Sequence, residues 1–205
     1  PVGIAVVDAD GCNGSHVYKA PSPTSGPSWS SDGTRLVFET QAHLEIINVD
    51  GSNPTNLTGV WGSGYKPDWS PQGGKIAYVR KGGDVWGLYV INDDGSNAVK
   101  LTSVEGSIGR SSWSPDGSKI AYQSGGDIYV LNSDGTNIVM LTDNSGKINA
   151  RDANPFWSPD GPYIAFDRSR DTDPGGWDIY VMKPDGSNQV QITSGSSAVN
   201  PDWGQ

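Results

Sequence analysis

A chain of 205 residues with 14 Lys+Arg against 23 Asp+Glu carries a formal net charge of −9. That balance argues against a nucleic-acid partner, because phosphate binding needs a basic footprint. A lone cysteine, Cys12, excludes an intramolecular disulfide, and no apolar run approaches the roughly 20 residues of a membrane-inserted helix.

Gly3 to Ala20 reads GIAVVDADGCNGSHVYKA. Its Ile4-Ala5-Val6-Val7 aligns with Ile128-Tyr129-Val130-Leu131, and Asp10-Gly11 with Asp134-Gly135. The chain therefore opens inside a repeat, at the third strand of a blade. Pro21 to Ser28 is read as a loop and an innermost strand leading to Trp29. Copy one follows from Trp29 to Thr58, copy two from Trp69 to Thr102, copy three from Trp113 to Thr142 and copy four from Trp157 to Thr193. Asn200-Pro201-Asp202-Trp203 reads as a fifth innermost strand.

The opening tryptophans Trp29, Trp69, Trp113, Trp157 and Trp203 are 40, 44, 44 and 46 residues apart. A period near that length with several short strands per copy predicts a β-propeller. Within each copy, Ser-Pro-Asp-Gly supplies a turn: Pro presets φ, Asp bonds nearby backbone and Gly takes the left-handed conformation. Copy two departs from this, with Pro71-Gln72-Gly73-Gly74. Asp-Gly-Ser-Asn repeats the device at the other hairpin. Ile-Ala-Tyr and Ile-Tyr-Val are β-branched and aromatic, as sandwiched strands require. Each opening Trp is expected to wedge between neighbouring blades. The expected architecture is all-β, one domain over 1–205. It has five blades of four-stranded antiparallel type, the closing one shared by the N- and C-termini. A piece of a larger ring is the alternative.

Trp-Ser-Pro-Asp-Gly, Lys-Ile-Ala-Tyr, Asp-Ile-Tyr-Val, Asp-Gly-Ser-Asn and Leu-Thr together resemble the TolB-like family of β-propeller repeats, also called WD40-like or PD40. The resemblance covers nearly the whole chain. Family propellers include the periplasmic Tol-system component, which binds other proteins, gating domains of some serine peptidases, and a few sugar-active enzymes. Fold alone does not choose among them. The reading taken here is a non-enzymatic binding module, monomeric, periplasmic or extracellular, with a protein or glycan partner; the alternatives are a carbohydrate-active enzyme using channel carboxylates and a peptidase-gate-like fragment of a larger protein.

Candidate chemistry is sparse. A Gly-x-Ser-x-Gly nucleophile elbow is absent. Two histidines, His16 and His43, exclude a His-rich metal site by count. No cofactor is expected unless calcium binds, at Asp171-x-Asp173 or at Asp8-x-Asp10; neither string completes an EF-hand loop. The position three before each opening Trp is held by Gly26, Lys66, Arg110, Asn154 and Asn200. Two readings stand: polar groups solvating a central channel, or an anion or sugar site built from Lys66, Arg110 and nearby Arg151. Trp61, Trp86 and Trp177 lie outside the opening position, as contact residues or as edge-strand packing. A sugar-active enzyme would need two acids within about 10 Å of each other; Asp68, Asp152 and Asp202 are the candidates.

Overall fold

In the computed structural model, the turn after Trp29 is held by its own side chains. Asp32 Oδ1 accepts from Ser30 Oγ at 2.6 Å, from Thr34 N at 3.0 Å and from Thr34 Oγ1 at 2.7 Å. Arg35 N donates to Ser30 Oγ at 2.9 Å. The Ser30 hydroxyl above all, with the two Thr34 donors, holds the Asp32 carboxyl at about 2. Copy three repeats the device: Ser114 Oγ donates to Asp116 at 2.6 Å, and Lys119 N donates to Ser114 Oγ at 2.9 Å. In copy two, Gln72 replaces the aspartate, and Gly73 and Gly74 both take positive φ, 75 and 70°. The second turn works the same way. Asp50, Asp94, Asp134 and Asp185 each accept from the amide two residues on. The asparagines that follow, Asn53, Asn97, Asn137 and Asn188, sit at φ 52–54°. Asn tolerates that left-handed backbone better than other residues with a Cβ.

The structure describes residues 3–19, 23–41, 43–59, 62–147, 150–170, 173–195 and 197–203. All regular elements among them are strands. The chain divides into two compact units: residues 1–81 with 89–99, and residues 82–88 with 100–205. Five sheets match the five repeats.

The first unit holds a two-stranded sheet, β1 (Gly3–Val6) with β2 (Ser15–Lys19). Beside it lies a four-stranded sheet in the order β3 (Ser25–Trp29), β4 (Arg35–Glu39), β5 (Leu44–Asn48) and β6 (Thr55–Asn56). The next sheet, β7 (Tyr65–Trp69), β8 (Lys75–Gly82), β9 (Val85–Asn92) and β10 (Val99–Glu105), draws on residues of both units. The second unit then has β11 (Ile108–Trp113), β12 (Lys119–Ser124), β13 (Asp127–Asn132) and β14 (Val139–Met140). It also has β15 (Asp152–Trp157), β16 (Ile164–Arg170), β17 (Asp173–Met182) and β18 (Val190–Gln191). Both of these sheets run in simple sequence order.

The apolar layers lie between successive sheets. In the first unit Trp69 of β7 packs with Val37, Leu44, Ile46 and Ile76. In the second, Trp157 of β15 packs with Ala121, Ile128, Val130 and Phe166. Trp69, Trp113 and Trp157 are 4, 5 and 6% exposed, as wedges should be, but Trp29 is 48% exposed. Among the described residues the sheet that precedes Trp29 consists of β1 and β2, with no innermost strand to cover that indole. Of the expected strand at Trp203, residues 201–203 lie in no strand, and residues 204–205 lie outside the described residues. Trp203 Nε1 instead donates to the carbonyl of Phe156 at 3.2 Å.

Two short-range locks explain the Asp-Gly and Leu-Thr strings. A Cβ added to Gly95 would stand 3.1 Å from the Leu57 carbonyl oxygen, one on Gly135 3.1 Å from that of Leu101, and one on Gly186 2.7 Å from that of Leu141. A Cβ added to Gly51 would stand 2.9 Å from the Val17 carbonyl oxygen, so β2 takes the outermost-strand role that Leu57, Leu101 and Leu141 mark elsewhere. The threonine of Leu-Thr, or of Ile192-Thr193 in copy four, accepts an amide of the third strand: Leu44 N to Thr58 Oγ1, Ile128 N to Thr142 Oγ1 and Ile179 N to Thr193 Oγ1, each at 2.9 Å. Gly186 also has φ 83°. Gly186→Ala is therefore expected to destabilise by at least about 1–2 kcal/mol, the cost of a left-handed Cβ, plus the clash. Urea unfolding checks this, and an unchanged midpoint would refute the close-approach argument.

Candidate functional site

The position three before each opening tryptophan is first a backbone position. The innermost strands all break register there: between Ser25 and Ser28, Tyr65 and Asp68, Ile108 and Ser111, and Ala153 and Phe156. These are β-bulges, which re-aim side chains at strand edges. Gly26, Lys66, Asn154 and Asn200 have φ 57, 52, 48 and 59°. Gly and Asn recur at this place because the bulge needs a left-handed residue. Arg110 is absent from the left-handed set.

Two backbone amides and one side-chain amide at these positions go to carboxylates. Lys66 N donates to Glu39 Oε2 at 3.0 Å in the first unit. In the second, Asn200 N donates to both oxygens of Asp167, at 3.0 and 3.1 Å. Asn154 Nδ2 donates to Asp167 Oδ2 at 2.7 Å. Asp167, on β16, is 1% exposed. Burial pushes its carboxyl above the ordinary value, against the opposing pull of the Asn154 and Asn200 donors and of the Arg110 charge. Three of the expected site residues, Arg110, Asn154 and Asn200, thus gather around one buried acid that the sequence reading did not single out. A signal was available: Glu39 and Asp167 both stand ten residues after an opening tryptophan, where the other two copies have Val79 and Gln123.

Arg110 and Arg151 are exposed. The backbone of Arg151 exchanges hydrogen bonds with Ser169, N to Oγ at 2.8 Å and O from N at 2.9 Å. Neither guanidinium belongs to an ion pair among the described residues. Lys66 is also exposed, on the first unit. Trp177 is half-buried on β17, and its carbonyl accepts from Ala198 N at 3.0 Å. Trp86, half-buried on β9, fits edge packing equally well. Trp61 lies outside the described residues.

The expected acids are committed elsewhere. Asp152 is 0% exposed, and Arg168 donates to it twice, Nε to Oδ1 at 2.7 Å and Nη2 to Oδ2 at 2.8 Å. The same guanidinium lies 5.1 Å from the Phe166 ring centre and 4.8 Å from that of Tyr180. Both oxygens of this carboxylate are thus taken up by one guanidinium of the same sheet. Asp202 is exposed and accepts from Trp203 N at 2.8 Å; Asp68 is half-buried on β7.

Of the calcium candidates, Asp171 lies outside the described residues. Asp173 begins β17 and pairs with Arg170. Much of the expected loop is thus a lengthened hairpin of β16 and β17, since regular pairing satisfies the backbone that a loop would leave to water. Asp8 and Asp10 are spent on their turn: Asn13 Nδ2 donates to Asp8 Oδ2 at 2.7 Å and Cys12 N to Asp10 Oδ1 at 2.9 Å. No group of three metal-ligating side chains occurs among the described residues, and no helix there could cross a membrane.

Four-stranded antiparallel sheets with wedge tryptophans and with polar bulges on the innermost strands are the architecture of a β-propeller. Residues 2–127 and 40–205 match the family model of the TolB beta propeller domain, PD40. The chain belongs to that family. It is similar to a TolB-type protein of Agrobacterium tumefaciens, with 26% identity and a TM-score of 0.77 over 89% of this chain and 66% of that one. TolB of Acinetobacter baumannii gives 17% identity and a TM-score of 0.77 over 92% of this chain and 48% of that one. An oligogalacturonate lyase of Vibrio parahaemolyticus shares the fold, with 11% identity and a TM-score of 0.69 over 92% and 58%. The chain spans less than two thirds of the length of each of these proteins.

Proposed function

We propose that the chain is a non-enzymatic binding module acting in the periplasm or outside the cell. Its partner presents anionic groups to Arg110 and Arg151, beside the polar node of Asn154, Asp167 and Asn200. One observation carries this reading: two exposed guanidinium groups without an ion pair among the described residues, in a protein of net charge −9. Several acids elsewhere, Asp32, Asp116, Asp152 and Asp185 among them, are held by donors of their own chain. Family membership supports a scaffold role, and the resemblance to the periplasmic Tol-system component supports the location. The committed state of Asp152 weighs against a carbohydrate-active enzyme.

Titration calorimetry with an acidic peptide and with an acidic oligosaccharide tests the proposal and separates the two partner classes. Arg110→Ala is expected to weaken binding about tenfold, the loss of one charged hydrogen bond, with an unchanged circular dichroism spectrum. Raised salt should weaken the parent more than the variant. Binding untouched in the Arg110→Ala/Arg151→Ala pair, or turnover of the sugar abolished by Asp152→Asn, would overturn it.

A further inference from the structure

The same seam is built twice with different contents. In the first unit Arg35, six residues after Trp29, spreads over the indole of Trp69, 4.8 Å from its ring centre. Its guanidinium is closed by Asp93, Nη2 to Oδ2 at 2.6 Å. In the second unit the equivalent cation is Lys119, six residues after Trp113, and the equivalent indole is that of Trp157. Alignment on Asp94-Gly95 and Asp185-Gly186 puts Pro184 where the acid Asp93 would be. A cleft of about 340 Å³ remains over Trp157, lined by Pro115, Asp116, Lys119, Asp160 and Pro184 among others. Lys119 is exposed and donates to Asn132 Oδ1 at 3.1 Å. No carboxylate pairs with it among the described residues. Asp116 is turned to its own loop by Ser114 and Ser118.

We propose that this cleft receives an acidic side chain, Asp or Glu, from a partner polypeptide. The incoming carboxylate takes the role that Asp93 fills within the first unit, and pairs with Lys119 against the indole of Trp157. Three features set the ligand class. The volume suits a side chain with its flanking backbone and lies at the small end of ligand pockets. Pro115, Pro184 and Trp157 offer apolar walls, so a carboxylate on a short methylene stem fits better than a bare anion. Asp116 and Asp160 flank the opening, and their charge selects a single carboxylate over a polyanion. A peptide is favoured over a sugar acid because the filled counterpart is itself a peptide turn, Asp93-Asp94-Gly95. This site is separate in residues from Arg110 and Arg151 and does not rest on that reading.

The test follows the indole N–H resonance of Trp157 by NMR during titration with acetyl-Ala-Asp-Gly-amide. The expected result is a saturable shift, absent with acetyl-Ala-Asn-Gly-amide. Lys119→Gln should weaken the interaction about tenfold, as loss of a charge-assisted bond does. Pro184→Asp should abolish it by supplying the acid in cis. Arg110→Ala should leave it unchanged. Lys119 is exposed and Pro184 lies in a turn, so neither substitution threatens the fold. The proposal fails if the Asp and Asn peptides shift the resonance equally, or if neither does. It also fails if Lys119→Gln binds as the parent does, or if methyl galacturonoside saturates at lower concentration than the peptide.

Discussion

Replacing Asp152 by alanine is expected to lower stability by about 3–5 kcal/mol, the cost of leaving one partner of a buried ion pair alone. Thermal unfolding should then start on the order of 10 °C earlier for a domain of this size. The magnitude follows from position. Asp152 is fully buried, while the Arg168 side chain is 18% exposed. Once the carboxylate is gone, the guanidinium keeps Gln189 Oε1 at 3.0 Å and the faces of Phe166 and Tyr180. None of these replaces a counter-charge. The paired change Asp152→Leu with Arg168→Met should recover most of the loss, since removing both charges also removes their desolvation cost. A single variant as stable as the parent would mean that the clamp is not formed in solution. The clamp's role as structure rather than chemistry would then be open again.

Phe38→Ala is expected to cost about 3–5 kcal/mol, and the damage should fall first on β1 and β2. Phe38 is 0% exposed, within a cluster of Ile4, Val17, Leu36 and Ile47. Its ring centre lies 4.8 Å from that of Tyr18, tilted by 53°. A two-stranded sheet is marginal on its own, so this cluster holds it. Hydrogen exchange should report loss of protection at Gly3–Val6 and Ser15–Lys19 before any loss in β12 or β13. Protection falling evenly throughout would contradict local docking by this ring.

Much of the architecture was legible because turn chemistry and strand composition agree at every copy. Ser30 and Asp32, Asp50 and Asn53, Thr58 and Thr142 each perform a local task that the residue type itself suggests. The bulge position was read for side chains alone, for a related reason. Asn154 and Asn200 were read as polar groups of a channel or of a ligand site, but Gly and Asn share a tolerance for left-handed backbone before they share any ligand chemistry. Lys66 hid that pattern, because a lysine suggests charge rather than conformation. Asp167 was missed because its partners, Arg110 and Asn200, come from strands and segments far apart in the chain; burial and convergence belong to tertiary packing. The fate of Asp152 was likewise invisible, since nothing in the copy marks Arg168 as its clamp. The contrast of Asp93 with Pro184 was readable by alignment, yet it gained meaning only when the cation and indole were found stacked.

The glycine-to-carbonyl contact between successive sheets has a consequence for the ancestry of the chain. Copies two and three each carry both parts of the fastening: Gly95 and Gly135 fit the copy before, and Leu101 and Leu141 receive the copy after. A genetic duplication or deletion of one of these whole copies leaves the junctions beside it with a matched glycine and leucine. A crossover within a copy, between Gly135 and Leu141 for instance, would leave one of them without its mate. Growth and loss by whole units is therefore the path of least disruption for this chain, and engineered versions with added copies should respect the same cut points.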